Sequence, residues 1–180
     1  LNQSINHLLS HKKEQADASF FPDWITKDNQ ESQSNRLAWC YGDLGVAVSL
    51  WHASKVVQNE EVKKTAIQLL EYAATRRDIE ETRIVDAGLC HGAFGVMHIF
   101  DYMYKETSKT IFKEAADYWI DYGLTIDHHK DGPAGYKKWR GGDTPTYEKE
   151  NSLLEGVAGI GLAILSYLHP EQTKWNQCLM

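Results

Sequence analysis

The chain has 180 residues, enough for one domain with a sizeable core and no need of disulfide staples. Hydrophobic residues make up 42% and charged residues 24%, which excludes a disordered tail. With 19 basic residues against 25 acidic ones the net charge is −6, so no nucleic-acid partner held by a basic surface is expected. No apolar run reaches the ~18–20 residues that a membrane span needs, and Leu1 to Lys12 has no signal-peptide core. The 3 cysteines are an odd number, which argues for a reducing, cytoplasmic setting over a disulfide framework. The chain opens on Leu1 rather than Met, in what reads as the tail of an amphipathic segment (Ile5, Leu8, Leu9), and is expected to be a piece of something longer.

In chain order, the segment Ala18 to Asn35 reads as loop, with Pro22, Trp24 and a polar run through Ser34. Three gapless repeats follow: Gly42-Asp-Leu-Gly45-Val46 on to Leu50, Gly92-Ala-Phe-Gly95-Val96 on to Phe100, and Gly156-Val-Ala-Gly159-Ile160 on to Ile164. Their first glycines are 50 and 64 residues apart. Each repeat continues as an apolar stretch with few polar positions, the pattern of a helix buried on most of its surface. Glycine in a helix costs ~1 kcal/mol relative to alanine, so the matched glycines predict close backbone approach, to a neighbouring helix or to a ligand.

Amphipathic helices are predicted between the buried ones. Asn59 is a candidate N-cap, with Glu60 and Glu61 in the first turn and Val62, Ala66, Leu69, Leu70 and Ala73 as the apolar stripe. Arg76 and Arg77 then sit at the negative end of the helix dipole. A second amphipathic helix is predicted from near Thr107, with a stripe of Ile111, Phe112, Ala115, Ala116, Trp119 and Ile120 and a stop at Gly123. Thr125 to Asn151 is rich in Gly, Pro and charge and is expected to be a long functional or mobile loop. No convincing alternating strand is read anywhere. Ser152-x-x-Glu155 reads as a capping box before the third buried helix.

The unit is therefore a buried inner helix, a turn and a half-exposed outer helix. Such hairpins build open solenoids or closed α/α toroids. Glycine-started, strongly apolar inner helices favour the toroid. The expected fold is all-α, with helical-hairpin repeats forming part of an α/α toroid and inner helices starting near 42, 92 and 156.

The positions just before each first glycine carry the chemistry. They read Cys40-Tyr41, Cys90-His91 and Leu154-Glu155. Two cysteines thus fall in repeat register, and one has a histidine beside it. In a ring, equivalent positions face the same end, so Cys40, Cys90 and His91 are expected to converge near helix N-termini, which stabilise thiolates. Sulfur and imidazole ligands favour zinc, and three protein ligands leave one tetrahedral position open, as catalytic zinc sites do. Cys178 stands outside the register and is read as incidental.

The runs Trp39-Cys40-Tyr41-Gly42, Cys90-His91-Gly92 and Leu154-Glu155-Gly156-Val157-Ala158-Gly159-Ile160-Gly161-Leu162 resemble the lanthionine synthetase C-like family over roughly residues 36 to 168. The resemblance falls on the C-terminal part of a longer chain, so residues 1–180 are expected to be a C-terminal fragment of a single toroid domain. It implies zinc on Cys40, Cys90 and His91. It also implies activation of a cysteine thiol for addition to a dehydroalanine or dehydrobutyrine of the same peptide, closing a thioether ring. A peptide substrate of that kind, a dehydratase partner and a role in lantibiotic biosynthesis come with it. Tyr41 matches a tyrosine at the family's site, and Arg36 matches a pocket arginine, where a fixed cation would stabilise the enolate. The family's acid/base histidine and accompanying aspartate belong to earlier repeats, and His7 and His11 do not match them. The fragment alone is therefore expected to be inactive.

Plainer readings stand beside these. Tyr41 is equally a packed aromatic, and Arg36 a charge paired with Asp43. Asp86 reads as a loop or cap residue. His128-His129 with Asp127 reads as loop rather than a second metal site, His98 as a core histidine, and Lys137, Lys138 and Arg140 as a solvated loop. Two other functions compete. One is an α/α-toroid carbohydrate-active enzyme using Asp43 and Glu155 as its carboxylates; the other is a non-catalytic helical-repeat scaffold that binds peptides.

Overall fold

The computed structural model describes residues 1–14, 18–28, 30–32, 36–169, 171 and 174–178. Residues 33–35, the end of the polar run through Ser34, lie outside the described residues, as does the side chain of Cys178. The helices are α1 (Asn2–Ser10), α2 (Gly42–Val57), α3 (Glu60–Thr75), α4 (Ile79–Thr82), α5 (Ala93–Thr107), α6 (Thr110–Thr125) and α7 (Val157–Leu168). Two compact units divide the chain, Leu1–Arg83 and Ile84–Cys178.

In the first unit α2 and α3 form the hairpin, and α1 packs on α2. Asn59 is the N-cap of α3, its side-chain oxygen accepting from the Glu61 and Val62 N–H groups. Val62, Ala66, Leu69, Leu70 and Ala73 are buried, as their spacing predicts. Just past α3, Arg76 turns its guanidinium to Glu81, with Nε 2.7 Å from the carboxylate. Asp43, in the first turn of α2, is fully buried. It accepts from the Phe20 and Phe21 N–H groups and from the Ser19 hydroxyl, which fastens the segment before α2 to that helix. Burial pushes the Asp43 carboxyl up, against those hydrogen bonds and the charge of Arg76.

The second unit pairs α5 with α6 and sets α7 against α5. Every residue from Ala93 to Asp101 is buried, the behaviour expected of an inner helix. Phe112, Ala115, Ala116, Trp119 and Ile120 form the buried stripe of α6. Two expectations fail here. Gly123 does not end α6, which runs on to Thr125; it is buried inside the helix, and a Cβ there would stand 2.9 Å from the Phe94 ring. The Ser152-x-x-Glu155 capping box does not form, because α7 starts at Val157 and its N-cap is Gly156. Glu155 instead pairs with Lys138 at 2.7 Å, and Glu150 accepts from the Asn151 and Ser152 N–H groups.

The stretch Thr125 to Asn151 holds more order than its composition predicts. A 3₁₀ turn (Pro133–Gly135) leads into an antiparallel hairpin of β1 (Lys138–Arg140) and β2 (Thr146–Glu148), with Trp139 opposite Tyr147. Strands this short carry no readable alternation, so the sequence gives no sign of them.

The matched glycines also receive an answer that the sequence did not offer. A Cβ on Gly95 would lie 1.8 Å from the Leu89 carbonyl oxygen, and the same contact recurs between Gly45 and Trp39 and between Gly159 and Leu153. In each repeat the close approach is made by the turn that leads into the same helix, and at Gly159 by the Leu89 side chain as well. Hydrogen bonding repeats as well: the Ala93 N–H donates to Asp86 O at 3.0 Å, and the Val157 N–H to Glu150 O at 3.1 Å. The first repeat departs from this, since Gly42 takes φ +68° and begins its helix directly.

Candidate metal centre

Cys40 lies two residues before α2 and Cys90 three residues before α5, each in the glycine-bound turn that enters an inner helix. A helix N-terminus carries about half a positive charge, which favours the thiolate. Cys40 is exposed and Cys90 half-buried, and both are free thiols.

In the first unit the structure brings Arg36, Cys40 and Tyr41 together. Arg36 is buried. The Tyr41 phenol is within hydrogen-bonding reach of the Cys40 thiol and the Arg36 guanidinium. Burial first, and the Cys40 thiol second, push that phenol above its ordinary value, against the pull of Arg36. Tyr41 therefore keeps its proton at neutral pH and can donate it. A cavity of about 200 Å³ opens beside these groups, lined by Leu8, Trp39, Cys40, Tyr41, Val46 and Ser49 among others. Its volume lies below the ~300–1,000 Å³ usual for small-molecule sites.

In the second unit Cys90 and His91 share one turn, and its surroundings hold it from several sides. The Cys90 N–H donates to the Leu154 carbonyl at 2.8 Å. Ahead of it, the Ile84 carbonyl accepts from the Tyr122 hydroxyl at 3.0 Å and the Val85 carbonyl from the Tyr147 hydroxyl at 3.1 Å. Asp86 Oδ2 accepts from the Trp139 N–H at 3.0 Å and stands 3.5 Å from His91 Nε2. Asp86 is a loop residue, as expected, but its contacts with Trp139 and His91 and the hairpin that grips it were not foreseen. One signal was present: Arg36, Asp86 and Glu150 each lie six residues before the first glycine of their repeat.

The remaining candidates are accounted for locally. His128 and His129 lie against each other, and His129 against Tyr147. His98 is buried, hydrogen-bonded through Nε2 to Asn176 at 3.0 Å and stacked on Trp175. Lys137 pairs with Asp131, and Arg140 with Glu148. Asp43 is fully buried under three donors, so it does not offer a carboxylate to a sugar. Among the described residues no helix is long and apolar enough to cross a membrane.

Hairpins with a buried inner helix and an amphipathic outer one are shared by open solenoids and α/α toroids, and a structural match places this chain in the α/α-toroid class. The solved structure of nisin cyclase has it, and superposes with a TM-score of 0.74 at 20% sequence identity, over 98% of this chain and 41% of that one. A family model described as lanthionine synthetase C-like protein matches residues 1–180. The chain belongs to the lanthionine synthetase C-like family. It spans about two-fifths of the length of nisin cyclase.

Proposed function

We propose that Cys40, Cys90 and His91 hold a zinc ion, and that the protein is a cyclase-like member of its family that adds a peptide cysteine to a dehydroamino acid. The observation that carries this reading is the repeat register, which puts Cys40 and Cys90-His91 in equivalent turns before two inner helices. Cys40, Cys90 and His91 make up a set of the composition that holds a metal ion. Two thiolates and one imidazole suit zinc, and three ligands leave a fourth position for substrate. Bound there, zinc supplies the positive charge that lowers a substrate thiol's pKa into the neutral range.

The chain's own residues supply part of the remaining chemistry. Sulfur adds to the β-carbon of dehydroalanine or dehydrobutyrine, and the carbonyl oxygen takes the enolate charge. Arg36, a buried fixed cation, stabilises that charge. Tyr41, kept protonated by its surroundings, offers a hydrogen-bond donor at the site, while protonation of the α-carbon falls to the acid/base histidine of earlier repeats. The cavity beside Trp39 and Tyr41 seats one side chain of the peptide. On this reading the two units are parts of one toroid domain, its C-terminal portion. The partner class is a peptide carrying cysteine and dehydro residues, supplied by a dehydratase in the cytoplasm, as in lantibiotic biosynthesis.

Metal analysis tests the reading. About one zinc per chain is expected, lost when Cys40 or Cys90 becomes alanine. Absence of zinc in the unaltered protein would overturn it and favour a peptide-binding scaffold. Given a dehydrated peptide, residues 1–180 alone are expected to bind metal without closing a ring, since they span 41% of the length of nisin cyclase.

A further inference from the structure

Asp86 is almost entirely buried, with 2% of its side chain exposed. An ionised carboxylate can accept about four hydrogen bonds, and burying its charge is costly unless it is paired. Among the described residues Asp86 Oδ2 accepts from the Trp139 N–H, and Oδ1 has no hydrogen-bond partner. The group poised to supply the balance is the His91 imidazole, whose Nε2 stands 3.5 Å from the same Oδ2. The His91 side chain is itself 12% exposed, so water does little to loosen the pair.

The geometry points to Asp86 as a positioning residue for His91: it claims the Nε2–H, fixes that tautomer, and leaves Nδ1 with its lone pair as the metal-binding atom. The inference rests on the zinc reading and deepens it. A carboxylate behind a ligating imidazole sets ring orientation and raises its basicity. The position of Asp86 is fixed in turn by the hairpin. Trp139 on β1 donates to its carboxylate, and Tyr147, opposite Trp139 on β2, donates to the Val85 carbonyl one residue earlier. Lys138 on β1 pairs with Glu155, next to the Leu154 whose carbonyl holds the Cys90 N–H. The hairpin thus braces the Cys90-His91 turn from both ends.

The test measures zinc affinity by competition with a chromogenic chelator, for the unaltered protein, Asp86→Asn, His91→Ala and the double variant. Asp86→Asn is expected to weaken zinc by about ten- to a hundredfold, and to add no further loss on the His91→Ala background. Unchanged affinity in Asp86→Asn, or an equal loss with His91 already removed, overturns the positioning role while the zinc reading stands. An unaltered protein that takes up no zinc overturns the zinc reading, and this inference with it. Should Asp86→Asn fail to fold, nitrogen NMR of the His91 ring in the zinc-loaded protein decides. Protonated Nε2 with metal on Nδ1 supports the role, and the reverse tautomer refutes it.

Discussion

The Leu89 carbonyl occupies the place where a Cβ on Gly95 would stand, 1.8 Å away. Glycine is therefore required for contact rather than for backbone freedom, and the requirement sits one turn from the proposed ligands. Gly95→Ala is expected to lower the unfolding free energy by more than about 2 kcal/mol, because backbone must move to admit a methyl group. Urea denaturation checks this, and a loss within about 0.5 kcal/mol would contradict the contact. The spacing showed that these glycines matter. It did not show why, since a turn folding back on its own helix leaves the same pattern as a helix packing on a neighbour. The two turns that carry Cys40 and Cys90-His91 were legible because repeat register survives in sequence. Asp86 was not, because its partner N–H belongs to Trp139, far along the chain.

Helix positions followed from periodicity, and their buried stripes match nearly residue for residue in α3 and α6. Ends and loops followed less well. Gly123 reads as a stop until Phe94 is seen packed against it. The hairpin of β1 and β2 was invisible, since three-residue strands have no period to read. Its grip on residues 84–86 gives an expectation at this scale. Tyr147→Phe removes the hydroxyl bond to the Val85 carbonyl and is expected to cost about 0.5–1 kcal/mol of stability. Amide hydrogen exchange across Val85–His91 should quicken while α6 stays protected. Unaltered exchange in that turn would show that the hairpin does not brace it.

For the folded chain as a whole, His98 sets a limit on acid stability. Burial first, and the charge of Lys105 second, push its imidazole down to about 4. The unfolded chain takes up that proton near pH 6.5 and the folded chain only near pH 4. Stability from this group is thus complete above pH 6.5 and is lost as pH falls toward 4, by on the order of 3 kcal/mol. The same ring stacks on Trp175 and meets Asn176, so its protonation is expected to loosen those two residues from α5. Denaturation at pH 7 and at pH 4.5 is expected to show this loss in the unaltered protein and less of it in His98→Gln. Equal losses in both would assign the acid sensitivity elsewhere.

The amino-acid sequence by itself determined the all-α repeat, the inner and outer helices, and the two turns that carry Cys40 and Cys90-His91. Those are local or periodic properties, written in hydrophobic spacing and in residues that recur at matching steps. The tertiary structure alone decided what the glycines admit, which carboxylate stands behind His91, and that a Gly- and Pro-rich stretch forms a hairpin clamp. Each of those depends on groups distant in the chain meeting in a dry interior, where an unpaired charge or an extra methyl is costly, and no spacing along the sequence records such a meeting.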